Sequence, residues 1–215
     1  MSNFSSLAFE NRKSRFHFII DRSGSMYNCK GNLLKALNEQ IEYLRKISFD
    51  NPNEDIKSAL HFFNHDISSL HVGIEAKHVP LINEGEYIPD GNTALYDAIG
   101  QIASREYKIT KEAVEGNKVN SVFVILSDGY ENASKYFTFE STRSLILEMQ
   151  ESGYVFVFMA AFADGHKVAE NLMVRKENTR VFSKSELKSE FDKVGVGFEK
   201  MIRDKMGGKN RNFFE

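Results

Sequence analysis

The sequence predicts an α/β protein, a doubly wound and mostly parallel sheet flanked by helices. Three observations carry this. Apolar runs at 16–20 (Phe-His-Phe-Ile-Ile) and 122–126 (Val-Phe-Val-Ile-Leu) each lead into an aspartate, Asp21 and Asp128. The second run is apolar on both faces, as a central parallel strand is. Strand-like runs alternate with segments of helical period, and a single tight connection, Asn64-His65-Asp66, marks one antiparallel hairpin at a sheet edge.

Taken in order, residues 1–14 read as a polar leader, 15–206 as one domain and 207–215 as a C-terminal tail. The first strand runs near 15–21. A helix over 31–47 carries the apolar stripe Leu33, Leu34, Leu37, Ile41 and Leu44. Asp50-Asn51-Pro52-Asn53 is a turn, followed by the hairpin strands 56–64 and 67–72. After an irregular connection, a helix runs from Thr93 to about Tyr107, and Lys108, Lys111 and Lys118 with Glu112 and Glu115 form a solvated link. A strand at 121–126, a helix at 139–151 and a buried strand at 154–161 follow. A short helix near 166–174, a weak strand at 180–182 and an amphipathic helix from Ser185, capped by that serine, complete the domain. Gly207-Gly208 ends it, and Phe213-Phe214 reads as a frayed end.

Composition narrows the function. A chain of 215 residues, 41% hydrophobic, can bury a good core in one domain. A net charge of −2 leaves no nucleic-acid footprint or polybasic membrane patch, and no apolar stretch reaches the length of a membrane span. Residues 1–10 lack the charged start and apolar centre of a signal peptide. The single cysteine, Cys29, excludes an internal disulfide framework and reads as an exposed loop residue, so the expected setting is the cytoplasm.

Chemistry concentrates on three loops. Asp21-Arg22-Ser23-Gly24-Ser25 places a carboxylate and two hydroxyls at alternate positions on a loop leaving a strand, a hard oxygen surface suited to a divalent cation. Thr93 stands where the helix over 94–102 begins, and Asp128-Gly129 follows a buried strand. If the strands before Asp21 and Asp128 are parallel neighbours, both carboxylates emerge at the edge where α/β proteins place ligands.

Asp-x-Ser-x-Ser, a later Thr opening a helix and an Asp-Gly after a buried strand resemble the metal-ion-dependent adhesion site of von Willebrand factor type A domains. Asp-Arg-Ser-Gly-Ser-Met and Thr-Ala-Leu-Tyr-Asp-Ala are most similar to small stand-alone bacterial and phage members. The resemblance runs from Arg15 to the helix near Ser185, with Asn92 standing where a glycine is usual. It implies a six-stranded sheet of order 3-2-1-4-5-6 with only strand 3 antiparallel. It also implies a metal site of Asp21, Ser23, Ser25, Thr93 and Asp128, in which the hydroxyls contact the ion and the aspartates act mostly through water. Mg²⁺ is the expected ion, with Mn²⁺ or Ca²⁺ as substitutes. The expected partner is a protein that presents an acidic residue, read by a rim of Arg22, Met26, Tyr27, Asn92, Tyr130 and Asp164.

Two other functions are weighed against this binding module: a Mg²⁺-dependent hydrolase and a scaffold with a purely structural metal. Phosphoryl transfer through an aspartyl intermediate calls for a second acid two residues after Asp21, where Ser23 stands. No histidine lies in the three loops, His166 reads as a surface residue, and neither a Walker loop nor Gly-x-Gly-x-x-Gly occurs. His17 reads as packed within the first strand, His61 and His65 as a strand and its turn, and His71 and His78 as flanking irregular structure. The expectation is therefore a non-enzymatic module.

Overall fold

The structure, a computed structural model, describes residues 12–203 and 212–214. Its strands are β1 (Arg12–Asp21), β2 (Glu54–Phe63), β3 (Ile67–Glu75), β4 (Val119–Ser127), β5 (Val155–Ala160) and β6 (Thr179–Val181). The helices are α1 (Lys30–Asp50), α2 (Leu95–Glu115), α3 (Phe139–Glu151), α4 (Gly165–Asn171) and α5 (Leu187–Arg203). The strands form one sheet of order β3-β2-β1-β4-β5-β6, in which β3 is antiparallel to β2 and every other pair is parallel.

Strand alternation divides the core. Phe16, Phe18 and Ile20 of β1 face α1 and α5, against Leu33, Leu37, Phe191 and Phe198. Ile19, with Phe123 and Ile125 of β4, faces the other way onto Leu95, Ile99 and Ile102 of α2 and Ile146 of α3. Because β1 and β4 are central and covered on both sides, their last residues, Asp21 and Ser127, are themselves buried.

Several boundaries differ from expectation, each for a physical reason. β1 begins at Arg12, inside the expected leader, of which residues 1–11 lie outside the described residues. There Lys13 stands in register with Asp55, and Ser14 is fully buried, so polar residues rather than apolar alternation start the strand. α2 continues to Glu115 because Glu106, Thr110 and Val114 extend its buried stripe, which places Lys108, Lys111, Glu112 and Glu115 on a helix rather than in a link. The cap before α5 is Ser183, not Ser185: the Ser183 N–H donates to Glu186 Oε2 at 2.8 Å in a capping box, with a 3₁₀ turn (Lys184–Glu186) leading into the helix.

Cys29 and Phe213, expected at the surface, are in the core, and so is His71, expected only to flank irregular structure. Cys29, the last residue of a 3₁₀ turn (Gly24–Cys29), is buried, and burial pushes its thiol pKa up. His71 is buried within β3. Phe213 packs on Phe198 with ring centroids 5.4 Å apart, and its N–H donates to Asn178 Oδ1 at 2.8 Å. A Cβ on Gly197 would stand 2.5 Å from the Phe213 ring, so a bare α5 backbone is what admits this segment. The Arg180 guanidinium covers Phe214 at 3.9 Å. The expected helix stop at Gly207-Gly208 lies outside the described residues.

Candidate metal centre at the carboxyl edge of the sheet

Asp21 ends β1 with its carboxylate turned in rather than out. Oδ1 accepts the Ser23 N–H at 2.7 Å and Oδ2 accepts the Ser127 hydroxyl at 2.7 Å, while the Tyr87 hydroxyl donates to the Asp21 carbonyl at 2.7 Å. Burial raises the Asp21 pKa, and the Ser127 and Ser23 hydrogen bonds pull against it. A short Asx-type turn results, which brings the next hydroxyls together: Ser23 Oγ and Ser25 Oγ are 3.0 Å apart. Ser25 Oγ in turn donates to Asp128 Oδ1 at 2.5 Å, joining the loop after β1 to the loop after β4.

Thr93 arrives on the connection that precedes α2, which begins two residues later at Leu95. Its N–H donates to Asn132 Oδ1 at 2.8 Å, and its carbonyl accepts the Asn132 N–H at 2.9 Å. Its hydroxyl lies beside Gly129, where a Cβ would be 3.9 Å away. The loop carrying Asn132 is held in turn by acids on both sides. Asp97 of α2 accepts the N–H groups of Lys135, Tyr136 and Phe137 at 2.7–2.9 Å. Glu131 accepts those of Tyr96, Ala133 and Ser134 at 2.7–3.0 Å. The connection before Thr93 is pinned by Gly24 N–H to the Gly91 carbonyl at 3.0 Å and Asp90 N–H to the Arg22 carbonyl at 2.9 Å. Gly91 has φ of 71°, which calls for glycine, and a Cβ there would also fall 2.2 Å from the His65 ring.

The structure thus brings Asp21, Ser23, Ser25 and Asp128 into one chain of contacts, with Thr93 on the adjoining loop. The donor set fits a hard divalent ion, being made of oxygens alone. A second observation supports the fit. The Asp128 side chain is 1% exposed, and its Oδ2 is paired with the ammonium of Lys184. A carboxylate this buried is stable only when a positive charge faces it, so the point is one that accommodates a cation.

The expected rim divides. Tyr27, Tyr130 and Asn92 are exposed. The Tyr130 hydroxyl donates to Asp164 Oδ2 at 2.7 Å, and Lys167 pairs with Oδ1 at 2.9 Å, holding the Asp164 carboxyl below its ordinary pKa. Arg22 is half-buried, with its Nε buried and without a hydrogen bond. Met26 corrects the expectation. It is fully buried, because the 3₁₀ turn that starts at Gly24 rotates it under the loop, where its carbonyl accepts the Cys29 thiol at 3.2 Å. His166 lies exposed on α4.

Ser127, Asn132 and Tyr87 were not singled out from the sequence, and Lys184, which reads there as one of the alternating charges of an exposed helix face, instead stands on a 3₁₀ turn with its ammonium at Asp128. Ser127 had a signal, since a polar residue one place before Asp128 closes an otherwise apolar run. The other three act across long separations and leave none.

No family profile matches the sequence, and no curated relative matches it either. Solved structures do match. The von Willebrand factor domain of the type V pilus tip protein Mfa5 from Porphyromonas gingivalis superposes with a TM-score of 0.68 at 10% identity, covering 94% of this chain and 99% of that one. This chain has the von Willebrand factor type A fold. Other structures with this fold are similar over part of their length. The pilus adhesin SpaC from Lactobacillus rhamnosus GG matches with a TM-score of 0.66 and 13% identity over 88% of this chain, but over only 30% of its own. The mussel byssus protein PTMP1, in a form with a zinc-occupied metal-ion-dependent adhesion motif, gives a TM-score of 0.55 and 17% identity over 86% of this chain and 45% of that one. The chain thus spans less than half the length of SpaC and PTMP1. Among the described residues no helix is long and apolar enough to cross a membrane.

Proposed function

We propose that this von Willebrand A domain is a non-catalytic, metal-dependent protein-binding module. Ser23, Ser25 and Thr93 hold the ion through neutral hydroxyls, while Asp21 and Asp128 orient those hydroxyls and the waters around it. Mg²⁺ is the favoured ion, with Mn²⁺ or Ca²⁺ as substitutes, and when bound it offers an exchangeable position to a carboxylate oxygen of a partner protein. The observation that carries this reading is the oxygen cluster of Asp21, Ser23, Ser25 and Asp128, in which the Ser23 and Ser25 hydroxyls lie 3.0 Å apart and Ser25 reaches the buried Asp128 carboxylate. Its chemistry asks for a cation. The adhesin and matrix proteins that share the fold support a binding role.

The setting we infer is cytoplasmic, on the strength of the single free cysteine. The net charge of −2 favours a protein partner over nucleic acid or an anionic membrane. The test is capture of partners on immobilised protein in Mg²⁺ and again in EDTA, with Ser25→Ala as the control. A protein retained in Mg²⁺, lost in EDTA and lost on Ser25→Ala supports the module. Capture indifferent to both metal and variant overturns it.

A further inference from the structure

Lys184 stands on the 3₁₀ turn between β6 and α5, far along the chain from the three ligand loops, yet its side chain ends among them. Its ammonium forms an ion pair with Asp128 Oδ2 and donates to the Ser25 carbonyl at 2.7 Å. Both acceptors belong to the candidate metal centre, and Asp128 is the carboxylate whose other oxygen takes the Ser25 hydroxyl. The backbone that launches Lys184 is fixed by the capping box next to it, where both the Ser183 N–H and hydroxyl donate to Glu186 Oε2 at 2.8 and 2.7 Å. The Lys184 side chain is 35% exposed, whereas the Asp128 side chain is 1% exposed. The lysine therefore reaches the carboxylate from the solvent side and keeps a way out.

We propose that Lys184 is a built-in counter-cation that holds Asp128 when no metal is present and competes with the divalent ion for it. This rests on the metal reading given above. Two positive charges facing one carboxylate repel, strongly so where water is partly excluded. A metal must therefore either displace the ammonium or bind against its field, and in both cases Lys184 lowers metal affinity. The same pair removes the cost of a bare buried carboxylate in the metal-free protein, so the loops need not rearrange before the ion arrives. A lysine suits this task better than an arginine: its charge is compact, its stem is flexible, and it makes no planar two-pronged clamp on the carboxylate. The two states are coupled, so an acid brought by the partner that draws the ammonium away tightens metal binding, and the metal tightens partner binding by the same factor.

Mn²⁺ alone is the probe, with the free ion counted by electron paramagnetic resonance over the full-length protein, Lys184→Gln and Lys184→Met. Both variants are expected to bind Mn²⁺ at least about tenfold more tightly than the unsubstituted protein. In EDTA they should melt at a lower temperature, a deficit that Mn²⁺ removes. A measurement without substitution runs in parallel. Acetylation of Lys184, read by peptide mass spectrometry, should proceed faster with Mn²⁺ than with EDTA. Unchanged or weaker affinity in both variants, or acetylation indifferent to the metal, overturns the proposal and leaves the metal centre standing if the unsubstituted protein binds Mn²⁺. If none of the three proteins binds Mn²⁺, the metal reading falls with it.

Discussion

At the scale of the residue, the site depends on how each polar atom is already engaged. Both carboxylate oxygens of Asp21 are taken, one by a backbone N–H and one by Ser127, so this side chain builds the loop whatever it does for the proposed ion. Ser25 differs, since it bridges to Asp128 and is exposed. Asp21→Ala should therefore lose metal affinity and also about 1–3 kcal/mol of stability, from a buried hydroxyl and N–H left without an acceptor. Ser25→Ala should lose affinity by about tenfold or more at little cost in stability. Calorimetric titration with Mg²⁺ alongside thermal melts separates the two, and unchanged affinity in both variants removes these residues from the site. The meeting of Asp21, Ser23, Ser25 and Asp128 was legible because each belongs to a short polar pattern at the end of an apolar run, and Thr93 because it stands just ahead of a helical period; their service as ligands is what these variants test. Met26 was not, since its burial depends on the handedness of a single 3₁₀ turn. Lys184 was not either, because only the folded chain brings it to Asp128.

At the scale of the element, the sheet carries a buried histidine group that the metal centre does not use. His61 on β2 donates or accepts at Ser69 Oγ, 2.7 Å away, and lies 6.5 Å from the His17 ring. His71 on β3 meets Ser58 Oγ at 3.3 Å. Burial, then His17, His71 and Arg105, push the His61 pKa down to about 3, and burial pushes His71 down to about 4. Glu106 of α2 faces His17 and Arg15; burial raises its pKa, but those two partners outweigh it and hold it low. Both histidines are thus neutral in the folded state well below the ordinary value of 6.5, while the unfolded chain takes up protons there. The unfolded state binds more protons, so stability falls as pH drops from about 6.5 towards 4, by up to about 1.4 kcal/mol per pH unit for each histidine. Urea unfolding in EDTA across this range should show the slope, and His61→Gln should reduce it by about half. An acid limb of the same steepness in the variant would exclude His61 as its source. The elements themselves were legible where period and burial agree: α3 and the hairpin follow their patterns. The far half of α2 was hidden because Glu106 and Thr110 are polar residues in a buried stripe. The docking of Phe213 was hidden because it needs Gly197 and Asn178, which are remote in sequence.

At the scale of the whole molecule, the topology decides which side chains a partner meets. β1 and β4 are adjacent and parallel, so the loops after them open on one edge of the sheet, and the connection before α2 is tied to the first of these through Gly24 and Gly91. Around that edge Tyr27 is 71% exposed and Tyr130 56% exposed, two rings within reach of a partner at the candidate metal centre. Tyrosines of this kind anchor interfaces, because they bury a large ring at low entropic cost and keep a polar tip for the rim. Arg22 adds a half-buried guanidinium, a positive charge suited to a partner that brings a second acid beside the one at the metal. None of these three side chains belongs to the proposed ligand set. Tyr27→Ala, Tyr130→Ala and Arg22→Ala should accordingly leave Mn²⁺ affinity within about twofold, while at least one weakens a captured partner by about tenfold or more, as central interface residues do. Titrating metal and partner separately for each variant gives the answer. If a partner is captured and all three variants bind it as tightly as the unsubstituted protein, recognition lies on another face. The metal at the carboxyl edge would then serve to hold the loops together rather than to bind.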